Sequence, residues 1–400
     1  MLNKYLRISH LAAILIIIIS CEENPINLEE NDLPLDVDTV SFPVTKTSIY
    51  KVLPQMGNLD TLYFGEINEF KFHYNLISFD TLSEGSDHTY SLYRDSLIVD
   101  SVEISLKSFT DSVLYDQKFN LRYFPDYSDS VFYESVTNYK NFEYYLNSEI
   151  LSSSFMKIDS SDTTIMLKFS IGSEIVNKIT GSNIDNFNMS FLIETSDQNK
   201  QPLRFHSSET ISGYYPKLKV YYKNTIDDTI NFQKNYPSFD DLTIIEPPTL
   251  SLKDTSNLTL GYAKGLKGLI FVDLDGWKLP ERGIIKRADL ILNKINSDTI
   301  TAFVIDSYPL ESEILFGPFS EYESDPYKVD YSALASGSVS SREIKFNHRK
   351  TLRSIGNQSK LNYGFKIEAS AINNPFYDVS FYNLIDADYF PMMRIIYAYP

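Results

Sequence analysis

From Thr61 onward the chain alternates apolar and polar residues. Phe70, Phe72, Tyr74 and Leu76 interleave with Lys71, His73 and Asn75. Val102, Ile104 and Leu106 alternate with Ser101, Glu103, Ser105 and Lys107, and Leu218, Val220 and Tyr222 with Lys217, Lys219 and Tyr221. Period two over such short runs is the mark of a half-buried strand. Helical spacing is scarce. Ser173 to Thr180 gives one short candidate, with Ile175, Val176 and Ile179 on one face. The pattern predicts an all-β chain.

The second half repeats the first. Leu62 to Gly65, followed by Phe70-Lys71, returns as Leu258 to Gly261 and Leu266-Lys267. Ile98 to Leu106 returns as Ile284 to Leu292, and Phe187 to Glu194 as Leu361 to Glu368. Tyr214-Tyr215-Pro216 and its alternating strand return as Tyr389-Phe390-Pro391 and the strand that ends the chain. The blocks keep their order while the spacing between copies shrinks, as loop-length changes between fixed strands require. Proline cannot donate to a ladder, so aromatic-Pro marks the start of each closing strand. The unit is far longer than a solenoid repeat, so the expectation is two whole domains of similar fold.

The N-terminus reads differently. Lys4 and Arg7 precede an unbroken apolar run from Leu11 to Ile19, and Ile19-Ser20-Cys21 follows. A spanning helix needs about 20 apolar residues, so this run is a signal-peptide core rather than a span. The segment resembles a bacterial lipoprotein signal peptide. That resemblance implies cleavage before Cys21, lipidation of its thiol and a durable membrane tether. Glu22 to Thr45 holds seven acids, two of its prolines early on, and no Lys or Arg. It reads as an extended tether, and it resembles the surface-export signal of Bacteroidota lipoproteins. The predicted organisation is a leader over 1–20, an acidic tether over 21–40, a first β-sandwich over 41–223, a linker over 224–241 and a second β-sandwich over 242–400.

Charge narrows the partners. Loss of Lys4 and Arg7 leaves 34 basic residues against 53 acidic ones, a net charge near −19. Nucleic acid and anionic lipid surfaces call for basic patches instead. Cys21 is the only cysteine, so its lipidation leaves no thiol for a disulfide, a metal or a nucleophile. Tyr (29) and Phe (26) are abundant, which suits strands.

Chemistry-bearing motifs are few. The five histidines are His10, His73, His88, His206 and His348, and none has zinc spacing to another His or to Cys. Asp273-Leu274-Asp275-Gly276 hints at a calcium loop, but no acid stands at the twelfth position. A turn is the expectation there. No resident cofactor is expected, although oxygen ligands from separate loops could hold a structural calcium. There is no phosphate loop and no Gly-x-Ser-x-Gly. Sugar-binding sandwiches use exposed aromatics with polar neighbours. Trp277, the sole tryptophan, and the patch of Tyr139, Tyr144 and Tyr145 among Asn138, Lys140, Asn141 and Asn147 are the ligand-binding candidates.

The block order resembles the DNRLRE-type β-sandwich family, also classed as a carbohydrate-binding module. The residues that carry the resemblance are Ile285, Ala288, Leu290 and Leu292, then Phe205-His206-Ser207-Ser208-Glu209, then Pro216-Lys217-Leu218-Lys219-Val220-Tyr221-Tyr222. The literal Asp-Asn-Arg-Leu-Arg-Glu run is absent, and Phe381-Tyr382-Asn383 replaces the Phe-x-Ser turn in the second repeat. The resemblance implies two tandem antiparallel jelly-roll sandwiches, a fold that the strand pattern also suggests. The expected role is non-enzymatic. The resemblances imply a lipoprotein of a Gram-negative outer membrane, facing the cell surface or the periplasm, that binds a polysaccharide or an envelope protein. The alternatives are a structural or adhesion spacer acting by protein contact and a polysaccharide hydrolase or lyase.

Overall fold

The computed structural model describes residues 35–79, 97–109, 116–123, 132–142, 146, 148–158, 164–172, 189–195, 202–210, 213–224, 230–251, 256–295, 299–300, 302–339, 342–383 and 389–400. The leader with Cys21, the Ser173–Thr180 segment, and Tyr144 and Tyr145 lie outside these residues.

The first strands are β1 (Asp36–Val52), β2 (Thr61–Ile67), β3 (Phe70–Phe79), β4 (Leu97–Lys107) and β5 (Lys118–Tyr123). Next come β6 (Ile150–Ile158), β7 (Ile165–Gly172), β8 (Met189–Thr195), β9 (Leu203–His206) and β10 (Lys217–Asn224). Two strands occupy the middle of the chain, β11 (Ile230–Pro237) and β12 (Asp240–Glu246). The second half holds β13 (Leu258–Gly261), β14 (Leu266–Val272), β15 (Ile284–Asn293), β16 (Phe303–Pro309) and β17 (Ser320–Tyr322). It closes with β18 (Ala335–Val339), β19 (Glu343–Asn347), helix α1 (Arg349–Gly356), β20 (Phe365–Ala369), β21 (Asp378–Phe381) and β22 (Met392–Tyr399).

The fold is all-β, as the alternation predicts. The strands form two large sheets, antiparallel except where β1 meets β17, and each curls on itself into a sandwich. Within the N-terminal sandwich, Val102, Ile104, Leu106, Phe169, Leu218 and Val220 meet Ile77, Phe119, Leu121 and Ile193. Within the C-terminal sandwich, Ile285, Ala288, Leu290 and Leu292 all point inward. Strict alternation would split Ile285 from Ala288. A β-bulge between Ile285 and Arg287 restores them to one face.

The boundaries between the sandwiches differ from those expected. Residues 224–241 read as a linker because acids, Asn and Pro dominate. Instead they contain β11, which pairs with β10, and the start of β12, which pairs with β3. Edge strands tolerate polar residues and proline, so an edge and a linker look alike in composition. Residues 36–52, divided in the reading between tether and first sandwich, form β1 in the second sandwich. There β1 pairs with β22, then with β14.

These two departures are one event. Lys217 and Met392 hold the same place in the repeat, directly after Pro216 and Pro391. Pro237 lies opposite Lys217, and Pro43 lies opposite Met392. Tyr236-Pro237 and Phe42-Pro43 are therefore equivalent. After this point β12 runs along β3, just as the second half of β1 runs along β14, with Ser238 and Phe239 as extra residues at the corner. The lead segment of each repeat thus completes the other repeat's sandwich, a strand exchange within one chain. Gly265 marks how closely β1 is seated. Its φ is +68°, a Cβ there would collide with the Val52 carbonyl oxygen, and its own carbonyl accepts from Val52 N at 2.9 Å.

An aromatic cluster joins the sandwiches. Phe376 of the C-terminal sandwich stacks on Phe72 at 4.8 Å and meets Tyr63 and Phe70 at 5.0 and 5.5 Å. Met56, Leu59, Ile245 and Ala263 complete the seam. Each large apolar side chain buried there contributes about 1.5–3 kcal/mol.

Deleting residues 36–52 is expected to unfold the C-terminal sandwich, because both β22 and β14 lose a partner. Hydrogen exchange should then accelerate in β14, β20 and β22 while β4 and β7 stay protected. Unchanged protection of β14 and β22 would contradict the pairing.

Candidate functional site

Strand register builds a polar row on the outer face of the C-terminal sandwich. Tyr50 of β1 lies opposite Lys267 of β14, Lys267 opposite Glu368 of β20, Glu368 opposite Asp306 of β16, and Asp306 opposite Ser336 of β18. Two residues along, Ser48, Leu269, Lys366 and Tyr308 form the neighbouring row. Side chains two apart in a strand share a face, so both rows look outward.

The connection after β16 folds over this face and supplies the missing charge. Asp325 Oδ2 accepts from Lys267 Nζ and from Lys366 Nζ, each at 2.9 Å. Tyr50 donates its hydroxyl to Asp325 Oδ1 at 3.2 Å. Glu368 lies 2.7 Å from Lys267 Nζ and 3.2 Å from Lys366 Nζ. Lys366 is only 3% exposed at its side chain. A charge so buried is stable only when paired, and here each lysine has two carboxylates. Tyr322 and Tyr327 pack edge-on against Tyr50, and Tyr331 against Tyr308.

Burial and neighbouring charge shift Lys267, Asp325, Tyr50 and Tyr308. Burial alone would discharge Lys267, but Glu368 and Asp325 outweigh it and raise its pKa. Burial would raise the Asp325 carboxyl, but Lys267 and Lys366 outweigh that and hold it below its ordinary value. Burial, then the nearby carboxylates, push the Tyr50 and Tyr308 hydroxyls upward. General acid–base catalysis works best with a group titrating near the operating pH. These four groups are all moved away from it. The arrangement is suited to fixed hydrogen bonding.

A cavity of about 330 Å³ opens beside the rows, lined by Tyr262, Lys267, Asp306, Tyr308, Asp325 and Glu368. Its far wall is Val52 to Gln55 together with Asn58, the segment that runs from one sandwich to the other. The cleft therefore sits at the seam.

The N-terminal sandwich carries a simpler version. Tyr74, Glu194, Asn120 and Ser153 lie in one row by register. Glu194 and Glu368 close the same repeated block. Arg122 pairs with Glu194 at 2.9 Å in place of two lysines. A neighbouring depression is lined by Lys71, His73, Tyr74, Tyr139, Lys140 and Glu246, among others.

The aromatics singled out by sequence are separated. Tyr139 lines that depression and packs against the cluster of Leu76, Phe132 and Phe142 on the same face. Trp277 is half-buried at the end of the other sandwich. It lies edge-on to Phe42 at 6.2 Å and so close to Gly356 that a Cβ there would touch its ring. It also borders a shallow hollow with Lys46, Phe271 and Tyr363. Asp273 to Gly276 forms a turn, with Asp275 N donating to Asp273 Oδ1 and Gly276 at φ +77°. Among the histidines, His73 contacts Glu66 at 3.1 Å, His206 stacks on Phe109, and His348 is buried against Ser307. Sequence reading quoted Lys267, Lys366 and Glu368 only as strand residues. Lys267 and Glu368 are charged at the same repeat places as Lys71 and Glu194, whereas Leu192 stands where Lys366 does.

Asp325→Asn is expected to destabilise the protein by about 3 kcal/mol at neutral pH, because a buried ion pair loses a partner. The folded-state pKa of Asp325 is depressed, so its contribution is present above the ordinary carboxylate value of about 4. It is lost as pH falls through the folded value. The gap between wild type and variant, measured by urea unfolding, should close in acid. Equal stability at pH 7 would contradict the ion-pair assignment.

No family model matches the chain, and no curated protein is significantly similar to it.

Proposed function

We propose that this chain is a non-enzymatic envelope lipoprotein that binds an uncharged polysaccharide at the seam between its two sandwiches. The observation that carries the reading is the charge-balanced row of Lys267, Lys366, Asp325 and Glu368 beside the cleft tyrosines. Sugar hydroxyls both donate and accept. Fixed carboxylates and ammonium groups offer the two complementary partners. Tyrosine rings supply the apolar surface that covers a sugar's C–H face. Tyr331 is 73% exposed and leans on Tyr308, which extends the aromatic surface outward. The strongly acidic mature chain disfavours an anionic polymer.

The resemblance of the strand blocks to DNRLRE-type carbohydrate-binding modules supports the same reading. So do the shifts of Lys267 and Asp325, each moved away from neutral pH by its oppositely charged neighbours. The anchor is proposed at Cys21, where the resemblance of the preceding residues to a lipoprotein signal peptide supports a Gram-negative outer-membrane location. Among the described residues, no helix is long and apolar enough to cross a membrane.

A polysaccharide array with neutral and acidic members tests the binding. Neutral polymers should be retained, and Tyr331→Ala should weaken retention about tenfold, the loss of roughly 1.4 kcal/mol. An array on which nothing binds would sink the proposal. The anchor is tested separately. Cys21→Ser should abolish palmitate labelling and move the protein out of the membrane fraction. A variant that stays labelled would refute lipidation at this thiol.

A further inference from the structure

Three carboxylates meet at the edge of the N-terminal sandwich, away from the row described above. Asp241 belongs to β12, Glu209 to the turn after β9, and Glu134 to the connection between β5 and β6. One oxygen of each lies within 4.8 Å of the others. No Lys or Arg among the described residues pairs with any of them.

Each carboxylate is already anchored by one oxygen. Glu134 Oε1 accepts from Asp241 N at 2.7 Å. Glu209 Oε2 accepts from Ser207 Oγ at 2.9 Å and from Ser208 Oγ at 3.0 Å. Asp241 Oδ2 accepts from Ser208 N at 2.8 Å and Ser238 Oγ at 3.2 Å. The second oxygen of Asp241, Oδ1, is buried and receives no hydrogen bond, in a residue only 1% exposed. Leaving a buried carboxylate oxygen without a partner is costly. Gly57 makes room for this packing, since a Cβ there would collide with Glu134.

We propose that Glu134, Glu209 and Asp241 hold a divalent cation of the calcium class. The donor set is all hard oxygen, with no His or Cys, which fits calcium rather than zinc. Oxygens around calcium sit about 2.3–2.6 Å from the ion. Two on opposite sides of such a shell are therefore at most about 5 Å apart, and the three oxygens here all lie within 4.8 Å of one another. Backbone carbonyls and water would fill the remaining positions. The ion would staple the exchanged strand β12 to the turn after β9 and to the connection between β5 and β6.

The electrostatics agree. Burial first, and then Glu209 and Asp240, push the Glu134 carboxyl up to about 7, against the pull of the Asp241 backbone N–H. Burial and the neighbouring glutamates also raise Asp241.

The test is calcium titration of the full chain at pH 8, by calorimetry and by thermal unfolding with calcium or chelator. One calcium per chain should bind and raise the unfolding midpoint, as any ligand selective for the folded state does. Glu209→Gln, at an exposed position, should abolish both effects, and Glu134→Gln should do the same. No binding, with midpoints equal in calcium and chelator, would overturn the site and leave a proton-sharing cluster. Binding that survives in both variants would overturn it too, by placing the ion elsewhere.

Discussion

Each sandwich is one lead segment short of closure, and the other repeat supplies it. β1 spans both layers of the C-terminal sandwich, with Asp36–Pro43 along β22 and Val44–Lys51 along β14. β11 and β12 do the same for the N-terminal sandwich. An unpaired strand edge exposes a row of backbone donors and acceptors. Exchange satisfies both edges at once. It also means that neither repeat, taken as a continuous stretch of sequence, contains its own complete fold.

The exchange places the candidate site. Because β1 must leave the C-terminal sandwich at Val52 and reach β2 at Thr61, its exit segment lies across the seam. That segment walls the cleft beside Lys267 and Glu368, and Met56 and Leu59 from it enter the aromatic seam around Phe376. Tyr50, which donates to Asp325, comes from β1 itself. The row is thus assembled from the lead segment of one repeat and the body of the other. The three-carboxylate cluster repeats this logic, since Asp241 sits on the exchanged strand and Glu209 on its host.

Much of the fold was legible in the alternation. Val102, Ile104 and Leu106 point inward as period two requires, and the repeat announced two like sandwiches. The edges were not legible. Phe42-Pro43 and Tyr236-Pro237 are short signals in polar surroundings, and partner choice between two similar sheets leaves no trace in either segment alone. The site was legible only as residues. Lys267, Asp325 and Lys366 are far apart in sequence, and their meeting depends on register and on a loop folding back. Trp277 attracted notice as the only tryptophan, yet its ring is used for packing against Phe42 and Gly356.

The most direct test of the exchange is a pair of engineered cross-links in a Cys21→Ser background. Thr39 lies opposite Ile396 in β22, whereas its own repeat offers Tyr221 at the matching place in β10. Thr39→Cys combined with Ile396→Cys should form an intramolecular disulfide on mild oxidation. Thr39→Cys combined with Tyr221→Cys should stay reduced. The reverse outcome, a bridge to position 221 and none to 396, would show that each repeat closes its own sandwich.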